Sequence, residues 1–181
     1  KELVPSLNPV AAAGLSLGEF TAHAAAGTYT FEEGLRLVQK RGAFMEEACN
    51  ATKGTMAAMI GGTDENVIKL AQECDVDVAN FNCPGQTVVS GTEEGVDKAI
   101  AGAKAAGCKI AKKLNVAGAY HSRLMHSAMV KLAEELKNVS FGTPSMPVYC
   151  NYEARVVEGP DDIRNVLEHQ VCGSVRWTAS M

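Results

Sequence analysis

A regular change of hydrophobic pattern between residues 54 and 115 constrains the fold of this chain most strongly. In chain order the predicted elements cover residues 55–60 (strand), 64–73 (helix), 76–81 and 86–90 (strands), 93–106 (helix) and 109–114 (strand). The order βαββαβ is typical of a ferredoxin-like unit. Cys83, Pro84 and Gly85 supply a turn between the two middle strands. We therefore predict a ferredoxin-like subdomain over residues 54–115.

The stretches on either side, residues 1–53 and 116–181, also mix strand and helix patterns. Thr30 and Glu33 form the capping box of a long predicted helix. The predicted elements are strands over residues 10–14 and 148–151 and helices over residues 18–26, 31–49, 121–137 and 161–171. This succession predicts an α/β layer architecture, in which the two stretches form one subdomain that the ferredoxin-like unit interrupts.

The composition excludes several classes of protein. The 181 residues are 46% hydrophobic and 21% charged, as in an ordinary soluble domain. No apolar run approaches the roughly 18 residues that a membrane span needs. The 17 lysines and arginines are scattered among 21 acidic residues, for a net charge of -4, so they offer no continuous track to a phosphate backbone. We expect no membrane partner and no nucleic-acid partner.

The six cysteines are widely spaced, with no Cys-x-x-Cys pair and no histidine cluster beside them, which argues against a zinc or other metal site. The chain is long, poor in cysteine and shows no signal peptide, so we predict reduced thiols and a cytoplasmic protein. Since the sequence begins at Lys1 rather than at a methionine, we expect it to be a piece of a longer protein, in which an organelle targeting peptide could precede it.

The run Gly14-Leu15-Ser16-Leu17-Gly18 lies between a predicted strand and a predicted helix, the context of a nucleophile elbow. We expect the glycines to leave space on both sides of a strained serine, and the helix start to direct amide groups toward its hydroxyl. The alternative is that small residues merely line a tight turn. The strand, turn and helix context favours Ser16 as a nucleophile.

A serine hydroxyl needs a base, so the four histidines are the candidates. His121 follows a loop of small residues and is predicted to open a helix, where its ring would be exposed and kept neutral by the helix N-terminus. His23 lies in the helix right after Ser16, too close along the chain to turn back to it. His126 and His169 lie on predicted helices among polar neighbours and are expected to be solvated or capping residues. The sequence equally allows His121 to be no more than a helix cap.

Arg41 falls on the apolar stripe of the long helix, with Gly34, Val38 and Met45. A buried guanidinium is tolerated when it is paired, and its planar fork matches a carboxylate with two hydrogen bonds. Arg41 is therefore either half of an internal ion pair with a glutamate or aimed into a cleft for an anionic ligand.

Together these features resemble the malonyl-CoA:acyl carrier protein transacylase family. The matching segments follow in the same order and spacing over essentially the whole chain and are Gly14-Leu15-Ser16-Leu17-Gly18-Glu19-Phe20, Lys40-Arg41-Gly42-x-x-Met45, Asn80-Phe81-Asn82-x-Pro84-Gly85-Gln86, Gly118-Ala119-Tyr120-His121-Ser122 and Val175-Arg176-Trp177. The resemblance implies a serine-hydrolase-like α/β domain with a ferredoxin-like insertion.

The resemblance also implies residue roles and a reaction. Ser16 would be acylated, His121 would be its base, Arg41 would bind the malonyl carboxylate, the Leu17 amide would hold the oxyanion and Asn82 would contact substrate. The implied reaction transfers a malonyl group from malonyl-CoA to the phosphopantetheine thiol of acyl carrier protein, for fatty acid or polyketide synthesis. A thioester is already activated, so no metal or bound cofactor is expected, and the expected state is a monomer.

The chain departs from the family in three respects. Leu15 stands where the family often has histidine, and we expect its side chain to point away from the reacting atoms. The family's Gly-Gln-Gly loop is absent, and we expect the backbone that orients the histidine to lie outside the chain as well. Loss of one oxyanion donor costs about 10²- to 10³-fold in rate, so the isolated piece is expected to be nearly inactive.

Two alternatives from other classes remain open at the level of sequence. The first is a serine hydrolase, in which Asp75 or Asp77 orients His121. The second is a fragment without activity that docks a carrier protein. Labelled malonyl-CoA distinguishes the three, because a transacylase retains the label on Ser16, a hydrolase releases malonate and a docking module does neither.

Overall fold

The computed structural model describes residues 6–181 and shows a mixed α/β fold. The strands are β1 (Ala12–Ala13), β2 (Gly54–Ile60), β3 (Asp77–Cys83), β4 (Gln86–Thr92), β5 (Ile110–Lys113) and β6 (Val148–Tyr149). The helices are α1 (Leu17–Ala25), α2 (Phe31–Ala51), α3 (Asp64–Glu73), α4 (Glu93–Gly102), α5 (His126–Lys137), α6 (Pro160–His169) and α7 (Trp177–Ser180), with a 3₁₀ turn at Arg123–Met125. None of the helices in this described part is long and apolar enough to cross a membrane.

Strands β1 and β6 pair in parallel and bring together two segments that are far apart in the sequence. Both are only two residues long, so the predicted strands over residues 10–14 and 148–151 were too long. The first strand ends because Gly14 turns the chain toward α1. Asn151, just after the second strand, bonds through its side chain to the backbone of this turn. The short pair therefore fixes the base of the turn that leads into α1.

Helices α1, α2, α5 and α6 pack around the larger hydrophobic core. The predicted capping box is confirmed, since the Thr30 hydroxyl accepts from the Glu33 N–H at 3.2 Å and a Glu33 carboxylate oxygen accepts from the Thr30 N–H. The fully buried side chains of this core include Phe20, Met125, Leu132, Leu136, Ile163 and Leu167. This core supports α2, whose buried face presents Arg41 beside the turn before α1.

Strands β2 to β5 form a four-stranded antiparallel sheet in the order β3-β4-β2-β5. Cys83 lies opposite Gln86 across the Pro84–Gly85 turn, where Gly85 has a φ of 75° that suits glycine. Helices α3 and α4 cover the sheet with a separate core of Met59, Val67, Val89 and Val96 among others. Helix α4 ends at Gly102 instead of residue 106, because the chain turns there toward Gly107, whose φ is 84°.

Candidate active site

The turn between β1 and α1 holds Ser16 in a strained backbone conformation. Its φ is 54° and its ψ is -109°, a region that residues with a side chain rarely adopt. A Cβ atom on Gly14 would lie 2.0 Å from the Gly18 carbonyl oxygen, so the approach of these two backbones requires glycine at position 14. Among the described residues, nothing beyond its chain neighbours and the backbone of its own helix lies within 4 Å of the corresponding point on Gly18. The expectation that both glycines are sterically required is therefore wrong for Gly18.

His121 lies beside Ser16, with its Nε2 atom 2.7 Å from the serine Oγ. Its surroundings differ from the predicted ones, because its side chain is only 4% exposed and its φ of 55° is not helical. The helical segment begins after it, where the Ser122 hydroxyl accepts a hydrogen bond from the Leu124 N–H. The prediction of an exposed histidine that opens a helix is thus wrong. The His121 ring is nevertheless within hydrogen-bond distance of Ser16.

Two backbone carbonyls orient the His121 ring. Its Nδ1 atom lies 2.9 Å from the Gln170 carbonyl oxygen and 3.2 Å from that of Gly173. Because a carbonyl only accepts, Nδ1 carries the proton and Nε2 is left free to accept one from Ser16. The orienting backbone lies in the loop after α6, so the expectation that it falls outside the chain is wrong.

Asp75 and Asp77 do not reach His121. Both carboxylates bind Arg123 at the surface, with oxygen to nitrogen distances of 2.7 and 2.8 Å. The serine hydrolase alternative, in the form that assigned one of these acids to His121, is therefore contradicted. In the structure, Ser16 pairs with His121, and two backbone carbonyls orient the His121 ring.

Burial, with the nearby Arg41 guanidinium acting in the same direction, lowers the pKa of His121 to about 4. The neutral ring is thus due to the interior and a neighbouring cation, and not to a helix N-terminus as predicted. A neutral imidazole is the form that accepts the Ser16 proton.

We expect the rate at which Ser16 reacts with a fluorophosphonate to change less than about twofold between pH 7 and pH 5, because His121 stays mostly neutral there. If His121 had the ordinary histidine pKa, the rate would fall about 25-fold over the same interval, in proportion to the neutral fraction of the ring. The measurement is the second-order rate of Ser16 labelling by a fluorophosphonate in the full-length protein, with circular dichroism at each pH as the control for folding. A steep fall centred near pH 6.5 would contradict the assignment of His121 as a buried base.

Arg41 is 5% exposed and donates from Nη2 to the Ser16 Oγ at 2.9 Å and to the Gln170 Oε1 at 3.1 Å. Its guanidinium carbon lies 5.5 Å from the centre of the Phe20 ring. Within residues 6–181 no carboxylate oxygen forms a salt bridge with it, and its Nε has no hydrogen-bond partner. Burial lowers the pKa of Arg41 to about 10, while the Glu19 carboxylate acts in the opposite direction. The internal ion pair is not formed, and the guanidinium keeps a free donor.

Three buried polar residues that were not predicted from the sequence lie next to Ser16 and Arg41. They are Glu19, Asn151 and Gln170. Glu19 accepts at Oε2 from the Gln170 side chain at 2.6 Å and from the Asn151 N–H at 3.0 Å. The Asn151 side chain accepts from the Ser16 N–H at 2.6 Å and donates to the Gly14 carbonyl at 2.8 Å. Of the three, only Glu19 could have been found from the sequence, because an acidic residue stands there among small and apolar residues, one turn after Ser16.

The site opens into a cleft of about 360 Å³. The lining residues come from the turn before α1, from α2, from strands β2 and β3 and from the loop before the 3₁₀ turn, and are Leu15, Ser16, Arg41, Gly42, Met45, Met56, Asn80, Tyr120 and His121. Leu15 is among them and is 42% exposed, so the orientation of its side chain away from the reacting atoms stays a prediction. Asn80 lines the cleft in place of the predicted Asn82, because the strand register shifts between Phe81 and Cys83 and such a shift turns side chains off a face.

The arrangement suits acyl transfer chemistry on an anionic substrate. Ser16 has a neutral base on one side and a cation on the other, in one cleft. Leu17 is the first residue of α1, so its N–H has no acceptor within the helix and is available to a developing oxyanion. The described residues contain no group of three His, Cys, Asp or Glu side chains that could hold a metal ion.

Comparisons with known proteins find close relatives. The acyl transferase domain family matches residues 6–178. The malonyl CoA-acyl carrier protein transacylase of Escherichia coli K12 is 41% identical over an alignment of 177 residues, and the match covers 96% of this chain and 57% of that protein. That of Coxiella burnetii has a solved structure with a TM-score of 0.93 and 37% identity, and the match covers 97% of this chain and 57% of the Coxiella chain.

A further solved structure holds a malonyl-transacylase in complex with its type II polyketide acyl carrier protein, and its TM-score is 0.95 at 37% identity. The match covers 99% of this chain and 59% of that one. The chain therefore spans somewhat more than half the length of these three relatives.

Proposed function

Because the chain belongs to the acyl transferase domain family, we propose that it transfers a malonyl group from malonyl-CoA to the phosphopantetheine thiol of acyl carrier protein, in fatty acid or polyketide synthesis. The observation that carries this proposal is Arg41, a buried guanidinium 2.9 Å from the candidate nucleophile that has no carboxylate partner among residues 6–181. A malonyl group attached to Ser16 brings the missing carboxylate, and the guanidinium fork matches it.

In the first half-reaction the Ser16 Oγ attacks the thioester carbonyl while its proton passes to the His121 Nε2. The Leu17 N–H donates to the oxyanion that forms. Collapse of the tetrahedral intermediate breaks the carbon–sulfur bond, and coenzyme A leaves as a thiol with the proton from His121. The second half-reaction runs in reverse order. The carrier thiol gives its proton to His121 and attacks the malonyl-serine ester, the carbon–oxygen bond breaks, and the Ser16 Oγ leaves with the proton from His121.

We place the roles of Ser16, His121, Arg41 and the Leu17 amide within this proposal, while the predicted contact of Asn82 with substrate has no support from the lining of the cleft. The resemblance implies that the family's Gly-Gln-Gly loop supplies the donor of the second oxyanion hydrogen bond. The cytoplasmic location and monomeric state that the sequence predicts belong to the proposal as well.

We also propose that residues 54–115 form a ferredoxin-like subdomain inserted in a serine-hydrolase-like domain made of residues 1–53 and 116–181. The supporting observations are the strand order β3-β4-β2-β5, the antiparallel pairing and the two separate cores. The cleft lies where the two would meet, since Met56 and Asn80 line it together with Ser16.

The experiment that tests the function is incubation of the full-length protein with malonyl-CoA that carries a radiolabel in the malonyl group. A transacylase retains the label on Ser16 and loses it to added acyl carrier protein. Release of labelled malonate without carrier protein would show a serine hydrolase instead, and absence of both would leave a docking module.

A further inference from the structure

Glu19 is a fully buried carboxylate that does not line the cleft. It lies in α1, one turn after Ser16, and its Oε2 accepts two hydrogen bonds while its Oε1 has no partner within the described part of the chain. Burying an acidic side chain with one oxygen unsatisfied is costly. A residue of this kind is expected to have a function that an apolar side chain of the same size cannot supply.

The first hydrogen bond of Glu19 leads to the turn that carries Ser16. The Asn151 N–H donates to Glu19, and the Asn151 side chain bonds to the backbone of both Ser16 and Gly14. The strained φ of Ser16 persists only if its surroundings hold it. Glu19 thus fixes the residue that holds the strained turn.

The second hydrogen bond of Glu19 leads to Gln170, which touches three residues of the site. Its Nε2 donates to the Ser16 carbonyl at 3.0 Å, its Oε1 accepts from Arg41, and its own carbonyl orients His121. A glutamine amide can be turned over without a change of shape, so its neighbours decide which end faces which side.

Glu19 and Arg41 together set the direction of that amide. Burial raises the pKa of Glu19 to about 7, and its Oε2, which accepts from the Asn151 N–H and the Gln170 Nε2, stays an acceptor when Oε1 carries a proton, so the amide nitrogen faces Glu19. A guanidinium only donates, so the amide oxygen faces Arg41. If the amide were reversed, its nitrogen would face the Arg41 donors, and the Arg41 Nη2 would lose one of its two acceptors.

We propose that Glu19 is a positioning residue for acyl transfer, which acts through Asn151 and Gln170 to hold Ser16, Arg41 and His121 in their reactive arrangement. This inference rests on the proposed function for the identity of the acyl group, and on the geometry alone for the reactivity of Ser16.

The test compares Glu19→Met, which keeps the size of the side chain and removes its oxygens, with Glu19→Gln, which keeps one oxygen to accept from Asn151 and Gln170. The readout is the second-order rate of Ser16 labelling by a fluorophosphonate in the full-length protein. We expect Glu19→Met to slow labelling about 10- to 100-fold, as displacements of about 1 Å at a reactive pair do. Glu19→Gln is expected to restore most of the rate.

Glu33→Met is the matched control, because it makes the same substitution at the partly exposed start of α2 and weakens a helix cap. It should lower the melting temperature and leave the labelling rate unchanged. Equal rates in wild type and Glu19→Met, or equal slowing by Met and Gln, would overturn the proposal, since a packing role predicts no rescue by an acceptor oxygen.

If Glu19→Met does not fold, Gln170→Leu poses the same question, because it removes only the side chain that links Glu19 to Arg41 and keeps the carbonyl that orients His121. Its labelling rate should fall about 10-fold or more, and an unchanged rate would overturn the proposal. A wild-type protein that reacts with the fluorophosphonate but not with malonyl-CoA would refute the proposed function and leave the comparison of Glu19 variants valid.

Discussion

Replacing Ser16 by alanine is expected to abolish covalent labelling of the full-length protein by malonyl-CoA. The Ser16 hydroxyl is the one that lies 2.7 Å from the His121 Nε2, at a turn that exposes it to the cleft. Removing the nucleophile of a serine enzyme costs roughly 10⁶-fold in rate, so no residual ester should accumulate. Intact mass spectrometry after incubation with excess malonyl-CoA measures the result.

Ser127→Ala is the matched control for this experiment, since Ser127 is an exposed serine near the start of α5. Its labelling should equal that of the wild type. Equal labelling of wild type and Ser16→Ala would show that another nucleophile carries the acyl group, and the elbow would then be structural only.

Arg41→Ala should reduce malonyl transfer by roughly 30- to 4,000-fold, which corresponds to the loss of about 2 to 5 kcal/mol when a charge partner is removed from a desolvated pair. The guanidinium is buried beside Ser16 and forms a salt bridge with no carboxylate of residues 6–181, so a malonyl carboxylate in the cleft would lose its counter-charge. Acetyl-CoA has no carboxylate, and its transfer should suffer much less.

The measurement is the ratio of kcat/KM for malonyl-CoA to that for acetyl-CoA, in wild type and in Arg41→Ala. The ratio is needed because Arg41 also donates to the Ser16 Oγ and to Gln170, so its removal disturbs both substrates through the nucleophile. Arg36→Ala, an exposed arginine on the same helix, is the control and should leave the ratio unchanged. An unchanged ratio in Arg41→Ala would reject the carboxylate-binding role.

Features that depend on residues close together in the sequence were predicted well. The capping box of Thr30 and Glu33 and the turn at Pro84–Gly85 are present as predicted, because a cap or a tight turn is decided within four residues. The order of the elements also followed, since hydrophobic periodicity is local. The lengths of β1 and β6 did not follow, because a parallel pair depends on a partner more than 130 residues away.

The same division holds within the site. Ser16, Arg41 and His121 each carry a local signal, respectively a strand-turn-helix context, a cation on an apolar stripe and a loop of small residues, so the sequence by itself determined these candidates. Their approach to within 2.7 and 2.9 Å of a common hydroxyl was decided by the tertiary structure.

The tertiary structure alone also decided what surrounds these three side chains. The burial that keeps His121 neutral comes from residues distant in sequence, and the carbonyls that orient its ring come from Gln170 and Gly173. The links from Glu19 to Asn151 and Gln170 span 132 and 151 residues. A hydrogen bond across such a separation leaves no periodicity or spacing in the sequence, because it forms only after the helices have packed.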